Sequence, residues 1–107
     1  MPNKYTLKLM PQAERDLNEI DDYITFELCN EKAATDLIDA IQAALNGLKD
    51  MPRKCPESDI PELKRDGYRK CVVGNYIALY KLDDKEKAVE VARVFYGMRN
   101  YKNLDLF

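Results

Sequence analysis

Lys64, Arg65, Arg69, Arg93 and Arg99 are five cations placed in or just before the apolar runs of the second half of the chain, or just after the last one, and Tyr68, Tyr96 and Tyr101 are interleaved with them. Guanidinium and ammonium groups hold phosphates through charge-assisted hydrogen bonds, and tyrosine rings stack on unpaired bases. A cluster of this composition therefore suits a surface that meets a nucleic acid or an acidic protein segment. The same residues have a plainer use: Tyr68, Tyr76 and Tyr80 as ordinary strand aromatics, and Arg93 as an interior arginine satisfied by a neighbour. The two uses are told apart by where the fold places each side chain.

The elements that must do the placing follow from periodicity. In Tyr5-Thr6-Leu7-Lys8-Leu9 apolar and polar residues alternate, which predicts a half-buried strand. Pro11 suits the first position of a helix, where a missing N–H costs least. Ala13, Leu17, Ile20, Ile24 and Leu28 follow as one helical stripe, with Glu14, Arg15, Asp16, Glu19, Asp22 and Glu27 on the solvated face. Asn30 is placed to cap a second helix, in which Ala34, Leu37, Ile38, Ile41, Leu45 and Leu48 repeat at helical spacing up to Pro52. The pair forms a helical hairpin over residues 11–50. Residues 51–66 carry three prolines and form a connecting loop with a short turn near Glu62-Leu63.

Three strands complete the order. Gly67–Val73 and Tyr76–Leu82 flank Gly74-Asn75, a pair that accepts positive φ and favours a tight hairpin. A charged turn leads to Ala88–Tyr96, where Gly97 breaks the strand. Simple alternation along this last strand sets Val89, Val91, Arg93 and Phe95 on one side, and Ala88, Glu90, Ala92, Val94 and Tyr96 on the other. The expected fold is α+β, in the order β-α-α-β-β-β, with a two-helix hairpin packed on one face of an antiparallel sheet.

Composition narrows the function classes. The 107 residues suffice for one domain with a modest core, here residues 1–107. A content of 46% hydrophobic and 34% charged residues fits a globular chain. No apolar stretch approaches the ~20 residues of a membrane span, and charges interrupt the N-terminus before a signal-peptide core can form. Cys29, Cys55 and Cys71 are odd in number and without paired spacing, as in a reducing cytoplasm. With no histidine and no cysteine pair, neither a metal nor a cofactor is expected. The net charge of −2 and pI near 5.2 are unlike those of a general nucleic-acid binder. The balance is uneven, however: residues 1–52 hold five Lys/Arg against ten Asp/Glu, and residues 53–107 twelve against nine.

Three motifs in this order carry a resemblance: Gly67-Tyr68-Arg69, then Asn75-Tyr76 with Tyr80, then Arg93-Val94-Phe95-Tyr96-Gly97-Met98-Arg99-Asn100-Tyr101. Together with an opening helix, AERDLNEIDDYITFEL, they resemble the toxins of the RelE/ParE superfamily over nearly the whole chain. The resemblance implies the growth-inhibiting half of a type II toxin–antitoxin pair of the plasmid-stabilization kind, neutralised by a cognate antitoxin from a neighbouring gene. Operator DNA would be met only through that antitoxin. Two branches imply two targets. A RelE-like protein enters the ribosome and cleaves mRNA by attack of a ribose 2′-OH on phosphate, without a metal; Arg99, Tyr101, Lys64 and Arg65 would then be its catalytic groups. Here a second strand arginine of that branch aligns near Ile77, which can do no such work. A ParE-like protein poisons DNA gyrase with no catalytic residues of its own, which the long hairpin and incomplete nuclease set fit better. A non-toxic member that only binds its antitoxin is the third alternative. In each case the contact surface would draw on Arg69, Arg93, Tyr96 and Arg99.

Overall fold

The computed structural model describes residues 4–97. Its elements are β1 (Thr6–Leu9), α1 (Pro11–Asp22), a π-helical turn (Tyr23–Glu27), α2 (Glu31–Gly47), α3 (Pro61–Arg65), β2 (Arg69–Val73), β3 (Tyr76–Asp83) and β4 (Ala88–Tyr96). The strands form one sheet in the order β1-β4-β3-β2.

The expected antiparallel pairing holds for β2, β3 and β4, but β1 joins β4 in parallel. The reason lies in the helical hairpin, which is a round trip. It returns the chain to the start of β1, where the Tyr5 N–H donates to the Lys49 carbonyl at 2.9 Å. The segment that leaves this point leads into β2, and two tight reversals then bring β4 back into the direction of β1. The sheet is therefore mixed.

Local chemistry accounts for the turns. The Asn30 side chain accepts from the Ala33 N–H at 3.0 Å, the expected cap of α2. Gly74 takes φ +59° in the β2–β3 turn, a region that side chains with a Cβ avoid. The first helix departs from expectation at its end. Its last turn is π-helical, with the Leu28 N–H donating to the Tyr23 carbonyl five residues back. The extra residue per turn rotates the stripe, so Ile24 remains buried while Leu28 faces solvent.

The hairpin lies on one face of the sheet. Ala13 and Leu17 of α1 and Ile41, Leu45 and Leu48 of the second helical segment pack on Cys71, Ala78, Tyr80, Val89, Val91 and Val94. Fully burying an aliphatic side chain of this size stabilises by ~1.5–3 kcal/mol, so α2 supplies much of what holds the layers together. The opposite face has a smaller cover. Leu63 of α3 packs with Tyr68, Ile77, Leu79 and Phe95.

β4 corrects the simple alternation. Its register with β3 slips between Tyr80, which faces Val91, and Leu79, which faces Arg93, so Ala92 is an extra residue. A bulge of this kind reverses the facing of the strand beyond it. Val94 accordingly joins Val89 and Val91 under the helices, and Phe95 goes to the opposite face.

Candidate functional site

Arg93 reaches the helix layer, on the side where simple alternation sets it with Val89 and Val91. Its Nε donates to Asp16 Oδ2 of α1 at 2.8 Å, and its Nη2 to Oδ1 at 3.4 Å. The same Oδ2 accepts the Val94 backbone N–H at 3.0 Å, and Gln12 Nε2 donates to Oδ1 at 3.0 Å. Helical periodicity puts Asp16 on the solvated face of α1, yet its side chain is only 7% exposed. A buried carboxylate is tolerated when its lone pairs are met, and here a guanidinium, an amide N–H and a carboxamide meet them. Helical periodicity alone could not show this, because the partners are the backbone N–H and the side chain of a strand 77 to 78 residues away.

Next to this pair, the end of α1 and the π-turn stand over the ends of β3 and β4 that meet at Tyr76 and Tyr96. Between them runs a groove of about 660 Å³, walled by Ile20, Tyr23, Leu28, Tyr76, Val94 and Tyr96, with Asp16, Glu19 and Arg93 among its polar lining. Tyr76 and Tyr96 are cross-strand neighbours packed edge to face, with ring centroids 5.2 Å apart. The Tyr76 hydroxyl is pushed above the usual phenol range, first by burial and then by the hydroxyls of Tyr96 and Tyr23. It remains a neutral hydrogen-bonding group at physiological pH. Tyr23, Leu28 and Tyr96 are each 56% exposed, which leaves an aromatic groove open to a partner.

The residues singled out from sequence fall into separate places. Arg93 and Tyr96 meet in the groove. Arg69 lies on the far edge strand, paired with Tyr80, and its Nη1 donates to the Cys55 carbonyl at 2.7 Å. There it fastens the 51–58 loop together with Tyr80, whose hydroxyl donates to the Pro52 carbonyl at 2.9 Å. Lys64 and Arg65 are exposed on α3 beside the smaller core, and Arg65 faces Asp66 at 3.5 Å. Tyr68 is buried in that core beneath Lys81, whose Nζ sits 5.3 Å from the ring centroid. Arg99 and Tyr101 lie outside the described residues. The residue that sequence reading missed as part of the groove is Tyr23, which falls outside the apolar stripe and continues the helical face of Asp16, Glu19 and Ile20.

Among the described residues no group of three or more potential metal ligands comes together, and no helix is long and apolar enough to cross a membrane. Cys71 is no ready nucleophile, since burial, then its neighbour Cys55, pushes the thiol up to about 12.

A helical hairpin on a four-stranded mixed sheet, with an aromatic groove at the open end of the last strand, defines a small α+β domain. The sequence matches, over residues 7–101, the family described as ParE toxin of type II toxin-antitoxin system, parDE. The chain belongs to that family, as the resemblance read from its motifs implied. Solved structures of similar fold include the chromosomal ParDE system of P. aeruginosa, with TM-score 0.71 at 18% identity over 89% of this chain and 98% of that one. The toxin–antitoxin complex RelBE2 of Mycobacterium tuberculosis gives TM-score 0.66 at 22% identity over 87% of this chain and 98% of that one. A mutant of the E. coli toxin RelE in the free state gives TM-score 0.66 at 12% identity, covering 96% and 94%. Among curated proteins none matches.

Proposed function

We propose that this toxin, acting as one domain in the cytoplasm, poisons DNA gyrase and is held inactive by a cognate antitoxin. The observation that carries the choice of target is the engagement of its strand arginines. Arg69 holds the Cys55 carbonyl and Arg93 holds Asp16, so neither guanidinium is poised for a phosphate. Cleavage of RNA through a 2′-OH needs cations for the developing charge and a base for the hydroxyl. Ile77, near which the nuclease branch has a second strand arginine, is buried at 3% exposure, and the chain contains no histidine. The matched family model, named for ParE, supports the same reading.

In this reading the protein contacts gyrase without bond chemistry of its own, and Arg99, just beyond β4, takes part in that contact. The antitoxin partner is proposed from the solved relatives, two of which are toxin–antitoxin systems. Purified protein is expected to inhibit supercoiling of relaxed plasmid by DNA gyrase, and Arg99→Ala to weaken the inhibition. Brief expression without antitoxin should arrest growth while a translated reporter message keeps its 5′ end in primer extension. New 5′ ends that depend on translation would establish the ribosome-dependent nuclease instead. Unimpaired growth under tightly controlled expression would identify a member that only binds its antitoxin.

A further inference from the structure

The segment that precedes α3 brings two cysteines together at the edge of the sheet. It runs antiparallel to the start of β2: the Ser58 N–H donates to the Tyr68 carbonyl at 2.9 Å, and the Lys70 N–H to the Pro56 carbonyl at 3.0 Å. These two bonds frame Glu57 and Arg69 as a non-hydrogen-bonded bridge, the kind in which opposite side chains stand closest. Carried two residues further, the same register sets Cys55 opposite Cys71, the next position of that kind. The Arg69 guanidinium fixes Cys55 there by its carbonyl, at 2.7 Å. Cys55 is half-buried and packs on the core cluster that holds Cys71, and the two thiols interact directly. In pairs of this kind the Cα atoms are ~4.5 Å apart, within the ~4.4–6.8 Å that a disulfide bridges.

We propose that Cys55 and Cys71 are a modification site, closing to a reversible disulfide when the protein meets a hydroperoxide and stapling the 55–71 loop to the sheet edge. Cys55, the more accessible sulfur, reacts first. Its thiolate attacks one peroxide oxygen, the O–O bond breaks, and the hydroxide released takes up the thiol's proton as water. The Cys71 sulfur then attacks the sulfenic sulfur of Cys55. The S–O bond breaks as the S–S bond forms, and the hydroxyl departs with the Cys71 proton as a second water. Two thiols are oxidised and one peroxide is reduced. Burial holds Cys71 as the thiol, but its partner is already in contact, so the second step is intramolecular. A thiol reductant reopens the bond by exchange. The ring so closed contains α3, with Leu63 in the smaller core and Lys64 and Arg65 exposed, so oxidation fastens both cations to β2.

The test uses the purified full chain carrying Cys29→Ser, which removes the exposed third thiol. Stoichiometric hydrogen peroxide should lower its intact mass by about 2 Da, and trypsin should then release peptides 55–64 and 71–81 joined. The thermal midpoint should rise by at least ~5 °C, because the crosslink restricts the unfolded chain, and dithiothreitol should restore the original value. Cys55→Ser in the same background, a change at a half-buried position, should abolish both the mass loss and the shift. Circular dichroism checks that the variants fold. Two free thiols after peroxide treatment of the folded chain overturn the proposal. Cys55 recovered as sulfinic or sulfonic acid without joined peptides overturns it too, since Cys71 would then be out of reach. Joined peptides that form only in urea, or that leave the midpoint unchanged or lower, overturn the staple.

Discussion

Replacing Asp16 by alanine should cost the protein a large share of its stability, although a single carboxylate on a helix usually matters little. The cost has two parts. Arg93 would keep its guanidinium, only 19% exposed, with no counter-charge. Removing one partner of a buried pair typically costs ~3–5 kcal/mol. The Val94 N–H would also lose its acceptor, which costs a further ~1–3 kcal/mol if no water replaces it. Part of each cost is recovered because the groove admits water, so ~4 kcal/mol is the expected total. With a urea slope of ~1–3 kcal/mol/M for a domain of this size, the midpoint should fall by ~2 M with an unchanged slope. Asp16→Asn keeps an acceptor for Val94 and should fall by about half as much. The double variant Asp16→Ala with Arg93→Met should be more stable than Asp16→Ala alone, since no orphaned charge remains, with a coupling of ~1.5 kcal/mol or more. A loss below ~1 kcal/mol in Asp16→Ala would refute the account, because that is the worth of an exposed pair.

Alkaline pH should unfold the protein in a particular window. The Cys71 thiol moves from an ordinary 9.0 up to about 12 in the fold, and burial pushes the Tyr80 hydroxyl up as well. Between those values the unfolded chain releases protons that the native chain retains, so stability is full below pH 9.0 and falls as pH rises toward about 12. Denaturation midpoints measured from about pH 8 to about pH 11 should show the decline, and Cys71→Ala should make it shallower. Asn30→Ala removes the acceptor for the Ala33 N–H and should lower stability by ~1 kcal/mol, read from the thermal midpoint with the same final fold.

Much of this architecture is legible in the sequence because it rests on local rules. The stripe of Ala34, Ile41, Leu45 and Leu48, the Asn30 cap and the Gly74-Asn75 turn each need only neighbours in the chain, and each stands where periodicity puts it. What escapes is set by long-range geometry. The parallel pairing of β1 depends on where the hairpin returns the chain, which helix length alone does not fix. The bulge at Ala92 and the π-turn at Tyr23–Glu27 each insert one residue into a regular repeat, and every facing beyond them shifts. That is why Val94, Phe95 and Leu28 depart from simple alternation or helical spacing. The motif residues are visible as types, but Arg69 and Arg93 share no surface, because the sheet order sets β2 and β4 on opposite sides of β3.

The parallel union of β1 with β4 also sets a schedule for synthesis. Thr6 pairs with Ala88, Tyr5 donates to Asp84 across 79 positions, and Asp16 reaches Arg93 across 77. A chain growing on the ribosome can form its helical hairpin early, but its first strand waits for the last before it has a neighbour. Contacts between such distant segments form late and dominate the folding time. The groove, which needs both α1 and β4, is thus among the last surfaces to exist. A message broken before the codons for β4 yields a fragment with neither the parallel pairing of β1 nor that groove.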